Sequence, residues 1–214
     1  MRAKRVNMES FFFVLAALFS VLNPIGTVPI FVALTQELSA KDRSRIALMT
    51  GFNVLLILLI SYFVGQYILQ FLGISISALR IAGGLIIASS GFALLNGKFN
   101  KERGMNKEVA QDAQTRSGLA LTPLAMPMLA GPGSISLLIA QYQEAHHWLD
   151  MLSCVCAIVV VSAGIFLILR SAHFLAKGLG ASGIVAISRI VGFLTIAIGI
   201  QYIIHSVLFL IQSI

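Results

Sequence analysis

Apolar residues fall in long runs along this chain, and the charged ones gather between them. From Phe11 to Gln36 there is no Asp, Glu, Lys or Arg, and between Ile46 and Gly97 the only charge is Arg80. A third uncharged run begins near Ser117. A helix needs ~20 mostly apolar residues to cross a bilayer, so the pattern predicts six spans, at about 11–34, 46–71, 76–95, 119–142, 149–169 and 189–212. The run beginning at Ile46 is too long for one span and divides at Gly73-Ile74-Ser75.

Two of these spans carry residues that an ordinary membrane helix avoids. NPIGTVPIF (Asn23 to Phe31) puts two prolines and a glycine beside a carboxamide. Each proline removes a backbone donor, and hydrocarbon offers no water to the carbonyls left over. A helix entering near Phe11 reaches Asn23 after roughly 18 Å, near mid-membrane. LAGPGSIS (Leu129 to Ser136) interrupts the fourth span at a matching depth. Paired Gly/Pro breaks in corresponding positions of two halves point to a midplane transporter site.

The halves also match each other. ALRIAGGLIIASSGF (Ala78 to Phe92) is similar to ISRIVGFLTIAIGIQ (Ile187 to Gln201), with Arg80 over Arg189 and Gly83 over Gly192, a register of 109 residues. The breaks align at 108, with Pro24 over Pro132, Asn23 over Gly131 and Gly26 over Ser134. Agreement of the two registers within one residue indicates a duplication. Three spans per copy is odd, so the second copy enters from the opposite side. The expected fold is all-α: a polytopic membrane protein of six transmembrane helices, a 3+3 inverted repeat with broken first and fourth helices. The expected organisation is one membrane domain, with a first repeat at 1–95, a polar connecting loop at 96–116 and a second repeat at 117–214.

Composition agrees: 58% of residues are hydrophobic and only 11% charged, against about 25% in soluble domains. The net charge of +7 does not indicate nucleic acid, because the basic residues fall between apolar runs rather than along one face. Retention of positive loops in the cytoplasm explains them. With the N-terminus outside, eleven Lys and Arg lie on the cytoplasmic side and four outside. Both termini are therefore expected on the periplasmic side. Cys154 and Cys156 sit two apart in an apolar run and point to different helix faces, as small core residues.

Ionisable residues are nearly absent from mid-span, which argues against an intramembrane enzyme. Glu9 and Glu144 are the acids closest to apolar runs; His205 reads as a core or interfacial histidine. Uncharged polarity is what the middle offers: Asn23, Thr27 and Ser134 flank the breaks. Half-helix N-termini present amides with partial positive charge, which suit a carboxylate. Free carbonyls suit a cation. No catalytic residue, metal site or cofactor is expected, and Na⁺ or H⁺ coupling is left open.

These stretches, with FLGISISALRIAGG (Phe71 to Gly84), PLAMPMLAGPGSIS (Pro123 to Ser136) and SRIVGFLTIAIGIQYII (Ser188 to Ile204), resemble the MarC family. This is a bacterial inner-membrane family, also described as small neutral amino acid transporters and related to the LysE-type exporters. The resemblance runs from first span to last. It implies six spans and the inner membrane. By position, the family's motif residues here are Asn23, Pro24, Gly26, Pro29, Arg80, Gly83, Pro123, Pro127, Gly131, Pro132, Gly133 and Arg189. Joined to the broken-helix reading, it implies a secondary transporter of small neutral amino acids or similar zwitterions. The expected substrate site is Asn23, Pro24, Gly26, Thr27, Gly131, Pro132, Gly133 and Ser134; Pro29, Arg80, Gly83, Pro123, Pro127, Arg189 and Gly192 form the structural motif. The expected partners are a small-molecule substrate and the lipid bilayer, with oligomers compatible and nucleic acid not. The alternative is a non-transporting membrane partner or assembly subunit.

Overall fold

A computed structural model describes residues 8–96, 120–145 and 147–212. Apart from Asn96, the polar segment 96–116 lies outside them. Described residues form helices α1 (Met8–Leu22), α2 (Pro24–Thr35), α3 (Ala40–Leu72), α4 (Ile76–Leu95), α5 (Pro132–Glu144), α6 (Trp148–Arg170) and α7 (Ala172–Gln212), with a π-helical stretch, Ala120–Leu129, before α5. No strand occurs among them. Five segments are long and apolar enough to cross a membrane: Met8–Thr35, Ala40–Leu72, Ile76–Leu95, Trp148–Arg170 and Ser182–Gln212.

Local chemistry sets the boundaries. Gly73 ends α3 in the left-handed conformation (φ 68°), and the Ile74 amide returns to the Leu69 carbonyl at 2.9 Å. That is the glycine-terminated helix end expected where no Cβ is tolerated. Ser75 then caps α4 by accepting from the Ala78 amide, and Ser39 caps α3 through the Asp42 amide. The last span was expected to begin near residue 189. The apolar segment instead starts at Ser182, and within α7 the non-helical backbone of Gly180 (φ 64°, ψ 173°) separates a shorter helical part, beginning at Ala172, from the long one.

The molecule turns much of its apolar surface outward, with Phe71, Phe174, Ile190 and Phe193 among many exposed large side chains. Its interior holds Thr27, Thr50, Ser134, Ser153 and Thr195, all fully or almost fully buried. Several hydroxyls donate to carbonyls one turn back, as Thr35 does to Phe31 at 2.7 Å and Ser153 to Leu149 at 2.8 Å. This is how a polar group lives where no water reaches it. Cys154 is buried, as a small core residue should be, whereas Cys156 is exposed on another helix face and is no part of the core.

Packing runs between the halves rather than within them. The principal contacts are α4 with α7, α3 with α6, α1 with α6, α3 with α5, α2 with α7 and α4 with α5. The tightest is α4 against α7. A Cβ added at Gly84 would lie 2.6 Å from the Gly199 carbonyl, and one at Gly91 2.6 Å from the Gly192 carbonyl. Without a hydrophobic drive between helices in lipid, such backbone approach is what brings van der Waals packing to bear.

Valine at Gly84 or Gly91 must push the two backbones apart, and overpacking typically costs about 1–3 kcal/mol. Each variant should melt several degrees lower in detergent. Gly164→Ala, where an added Cβ meets nothing within 4 Å, should not.

Candidate functional site

The first break is one residue long. Asn23 takes a left-handed conformation (φ 43°, ψ 63°), the only non-glycine residue with positive φ among those described. Asparagine is one of the few residues that tolerate it. Pro24 follows at the first position of α2, where no amide donor is needed. The Asn23 Oδ1 accepts from the Gly26 amide at 3.2 Å, and Thr27 Oγ1 donates to the Asn23 carbonyl at 3.3 Å. Asn23 and Thr27 are at most 1% exposed. The Asn23 Nδ2 is buried with no hydrogen-bond partner among the described residues. Pro29 lies inside α2, where its ring withholds the donor that the Ile25 carbonyl would use.

The second break is built differently. Ala120–Leu129 is wound as π-helix, ending with the Ala130 amide on the Ala125 carbonyl at 2.8 Å. Pro123 and Pro127, four apart in this stretch, each lack the amide that an α-helical ladder would use, and a wider turn accommodates the loss. Gly131 is extended and offers α5 no side-chain cap, while Pro132 again takes the first helical position. Ser134 Oγ donates to the Gly131 carbonyl at 2.8 Å.

The breaks are neighbours. A Cβ on Gly133 would meet Ile87 at 2.9 Å and Val21, two residues before Asn23, at 3.5 Å. Of the expected site, Pro132 is exposed and the other seven residues are buried. Empty space at Gly26 was anticipated, so that a larger side chain would enter a cavity there. The structure corrects this, because a Cβ would lie 2.1 Å from Asn23 Nδ2. Glycine is required at that position by the cap itself.

The motif residues divide. Gly83 lets α4 close on α5, with Ser136 Oγ occupying the place of a Cβ and donating to the Leu79 carbonyl at 3.1 Å. Gly192 faces Gly91 and Leu94. Arg80 and Arg189, paired in sequence, part company in space. Arg189 is exposed with no ion-pair partner among the described residues. Arg80 is mostly covered and forms a salt bridge to Glu144, with His205 Nδ1 3.3 Å away.

That cluster is a second polar feature, which the sequence reading left scattered. Arg80, Glu144 and His205 line a cavity of about 250 Å³ with Phe13, Gln141, Gln201 and Tyr202. Gln141 Nε2 lies 2.9 Å from Glu144 Oε2 and 3.2 Å from the Tyr202 hydroxyl. Glu144 ends α5 and Arg80 sits in the second turn of α4, so each charge opposes its own helix dipole. The pair offsets both penalties. From Gly133 to Gln141 is eight residues, so the cavity lies about 12 Å along α5 from the break. A signal was present: Arg80 is the only charge in its long run.

The sequence is similar to those of known proteins. The family model described as MarC family integral membrane protein matches residues 8–211. A UPF0056 membrane protein of Buchnera aphidicola subsp. Schizaphis graminum is 40% identical over 87% of this chain and 86% of its own length. The UPF0056 membrane protein YhcE of Escherichia coli is 34% identical over 89% of this chain and 88% of its own. The UPF0056 inner membrane protein MarC of Citrobacter koseri is 34% identical, covering 93% and 94%. No solved structure is significantly similar. Matched from its first described helix to its last, the chain belongs to the MarC family of integral membrane proteins.

Proposed function

We propose that this protein is a secondary transporter, rather than an enzyme, moving small neutral amino acids or similar small zwitterions across the bacterial inner membrane. The observation that carries the reading is the orphaned Asn23 Nδ2, a buried donor two residues from Val21, whose side chain faces Gly133 at the start of α5. A buried amide without a partner costs about 1–3 kcal/mol, a penalty that a carboxylate ligand would remove. The Gly26 amide is already taken by Asn23 Oδ1. The Ser134 amide is likewise engaged, with the Gly131 carbonyl at 3.1 Å, so the carboxylate is assigned to Asn23 Nδ2 and the Gly133 amide, with Pro24, Thr27, Gly131, Pro132 and Ser134 shaping the site. Uncapped half-helix N-termini serve anionic groups in this way.

The six-span inverted repeat belongs to the same reading. Helix starts support it: Pro24 and Pro132, then Ala40 and Trp148, each lie 108 residues apart. The glycine contacts support it too, because Gly84 with Gly199 and Gly91 with Gly192 exchange under the same offset. These contacts favour 108 over the 109 of the arginine alignment, setting Gly84 over Gly192. Rocking of one half against the other, the usual motion in such transporters, does not suit halves that interleave. Parting of the broken segments, α1–α2 and the π-helical stretch with α5, is the motion we assign. Both termini are placed in the periplasm, where the Arg80–Glu144 cavity would open.

Purified protein in sealed proteoliposomes should move labelled alanine, glycine or serine. If it moves none of them, the reading gives way to a non-transporting partner subunit. Asn23→Gly separates binding from folding. Glycine keeps the left-handed backbone and weakens a cap by only a few tenths of a kcal/mol but loses the donor, so the melting temperature should nearly hold while affinity falls at least tenfold. Gly26→Ala should lower the melting temperature by displacing the cap, worth about 1 kcal/mol. Orientation is checked in spheroplasts after Cys154 and Cys156 are replaced. A cysteine at His147 should react with an impermeant thiol reagent in intact cells, and one at Gln111 only after permeabilisation.

A further inference from the structure

The α3–α6 pair carries a feature that the transport reading does not use. The two helices meet at Gly51, where an added Cβ would lie 3.1 Å from Phe166 Cβ and 3.2 Å from the Ser162 carbonyl. Beyond that crossing, toward the start of α3 and the end of α6, they leave an open groove of about 810 Å³. Lys41, Ser44, Arg45 and Leu48 line it from α3, and Phe166 and Arg170 from α6. The spacing from 41 to 48 is one helix face, i, i+3, i+4 and i+7. Arg170 lies over the Phe166 ring, 5.8 Å from its centroid. No acidic side chain among the described residues lines the groove, and none pairs with Lys41, Arg45 or Arg170.

Depth and continuity narrow what this groove can hold. Its cations sit at the ends of two segments apolar enough to span a membrane, Ala40–Leu72 and Trp148–Arg170, which is headgroup level. The α3 face continues inward through exposed Leu48 to exposed Phe52. A ligand with an anionic head and apolar chains satisfies both parts at once. We propose that the groove binds an anionic phospholipid of the surrounding bilayer. Its phosphate lies among Lys41, Ser44, Arg45 and Arg170, and its acyl chains run along Leu48 and Phe52. Retention of basic loops at one membrane face explains the number of cations, but not why three from two helices converge on one cavity. Basic pockets between membrane helices are established lipid headgroup sites in general. The site lies at the end of α3 away from the Arg80 cavity. The 33 residues of that helix span about 50 Å, so this proposal stands or falls separately from transport.

Native mass spectrometry of the delipidated full chain, offered equal phosphatidylglycerol and phosphatidylcholine with the same acyl chains, tests it. Wild type should retain phosphatidylglycerol at least tenfold over phosphatidylcholine. The combined Lys41→Gln, Arg45→Gln and Arg170→Gln variant should bring the ratio close to one. Lys177→Gln with Arg189→Gln, which removes charge elsewhere, should leave the preference intact. If the triple variant is not monodisperse, the single variants Arg45→Gln and Arg170→Gln decide, each expected to lose about fivefold. An unchanged preference in folded variants overturns the proposal, and so does equal loss in the control. Inorganic phosphate displacing phosphatidylglycerol at millimolar concentration would make this a free-anion site and reject the lipid.

Discussion

Contact between the backbones of α4 and α7 is the constraint on which the remaining architecture hangs. Gly84, Gly91, Gly192 and Gly199 let the two helices touch carbonyl to Cα, at a separation that side chains would forbid. In lipid, apolar side chains gain nothing by meeting one another rather than acyl chains, so close packing has to supply the attraction. Once α4 and α7 are fixed, the broken segments fall on either side: α5 seats on α4 through Gly83 and Ser136, and α2 seats on α7. Thr195 of α7 extends the join, its hydroxyl 3.0 Å from the Ser20 carbonyl of α1.

The breaks use two answers to one problem. A helix interrupted away from water must satisfy its own loose ends. At Asn23 the chain does so in one residue, with a left-handed turn, a side-chain cap and a threonine hydroxyl. At Gly131 it spreads the change over ten π-helical residues and leaves the new helix start uncapped.

Much of this was legible in the residues. Long uncharged runs gave five apolar segments of the six expected, and prolines beside glycines marked the stretches that hold both breaks, since few other residues announce backbone disruption so plainly. Gly73-Ile74-Ser75 was readable for the same reason. The π-helical winding was not, because Pro123 and Pro127 signal a missing donor without saying how the chain absorbs it. Nor was the meeting of Arg80, Glu144 and His205, drawn from three helices and far apart in sequence. The matched arginines misled: sequence similarity paired Arg80 with Arg189, whereas burial separates them. Gly26 misled in another way, because a glycine beside a proline reads as open space when it is there to admit a neighbouring amide.

Interleaving of the halves has a consequence for how the chain is made. Helices leave the ribosome in order, and α3 and α4 reach the bilayer before α5, α6 and α7 exist to receive them. Most of the contacts that will bury Thr50, Gly84 and Gly91 come from segments not yet translated. The first half must therefore wait in the membrane with its polar and backbone surfaces facing lipid or the insertion machinery. Helices α5 and α6 then receive α1, α3 and part of α4, and α7 comes last to the rest of α4. The join on which the other contacts hang is thus the last that synthesis makes available.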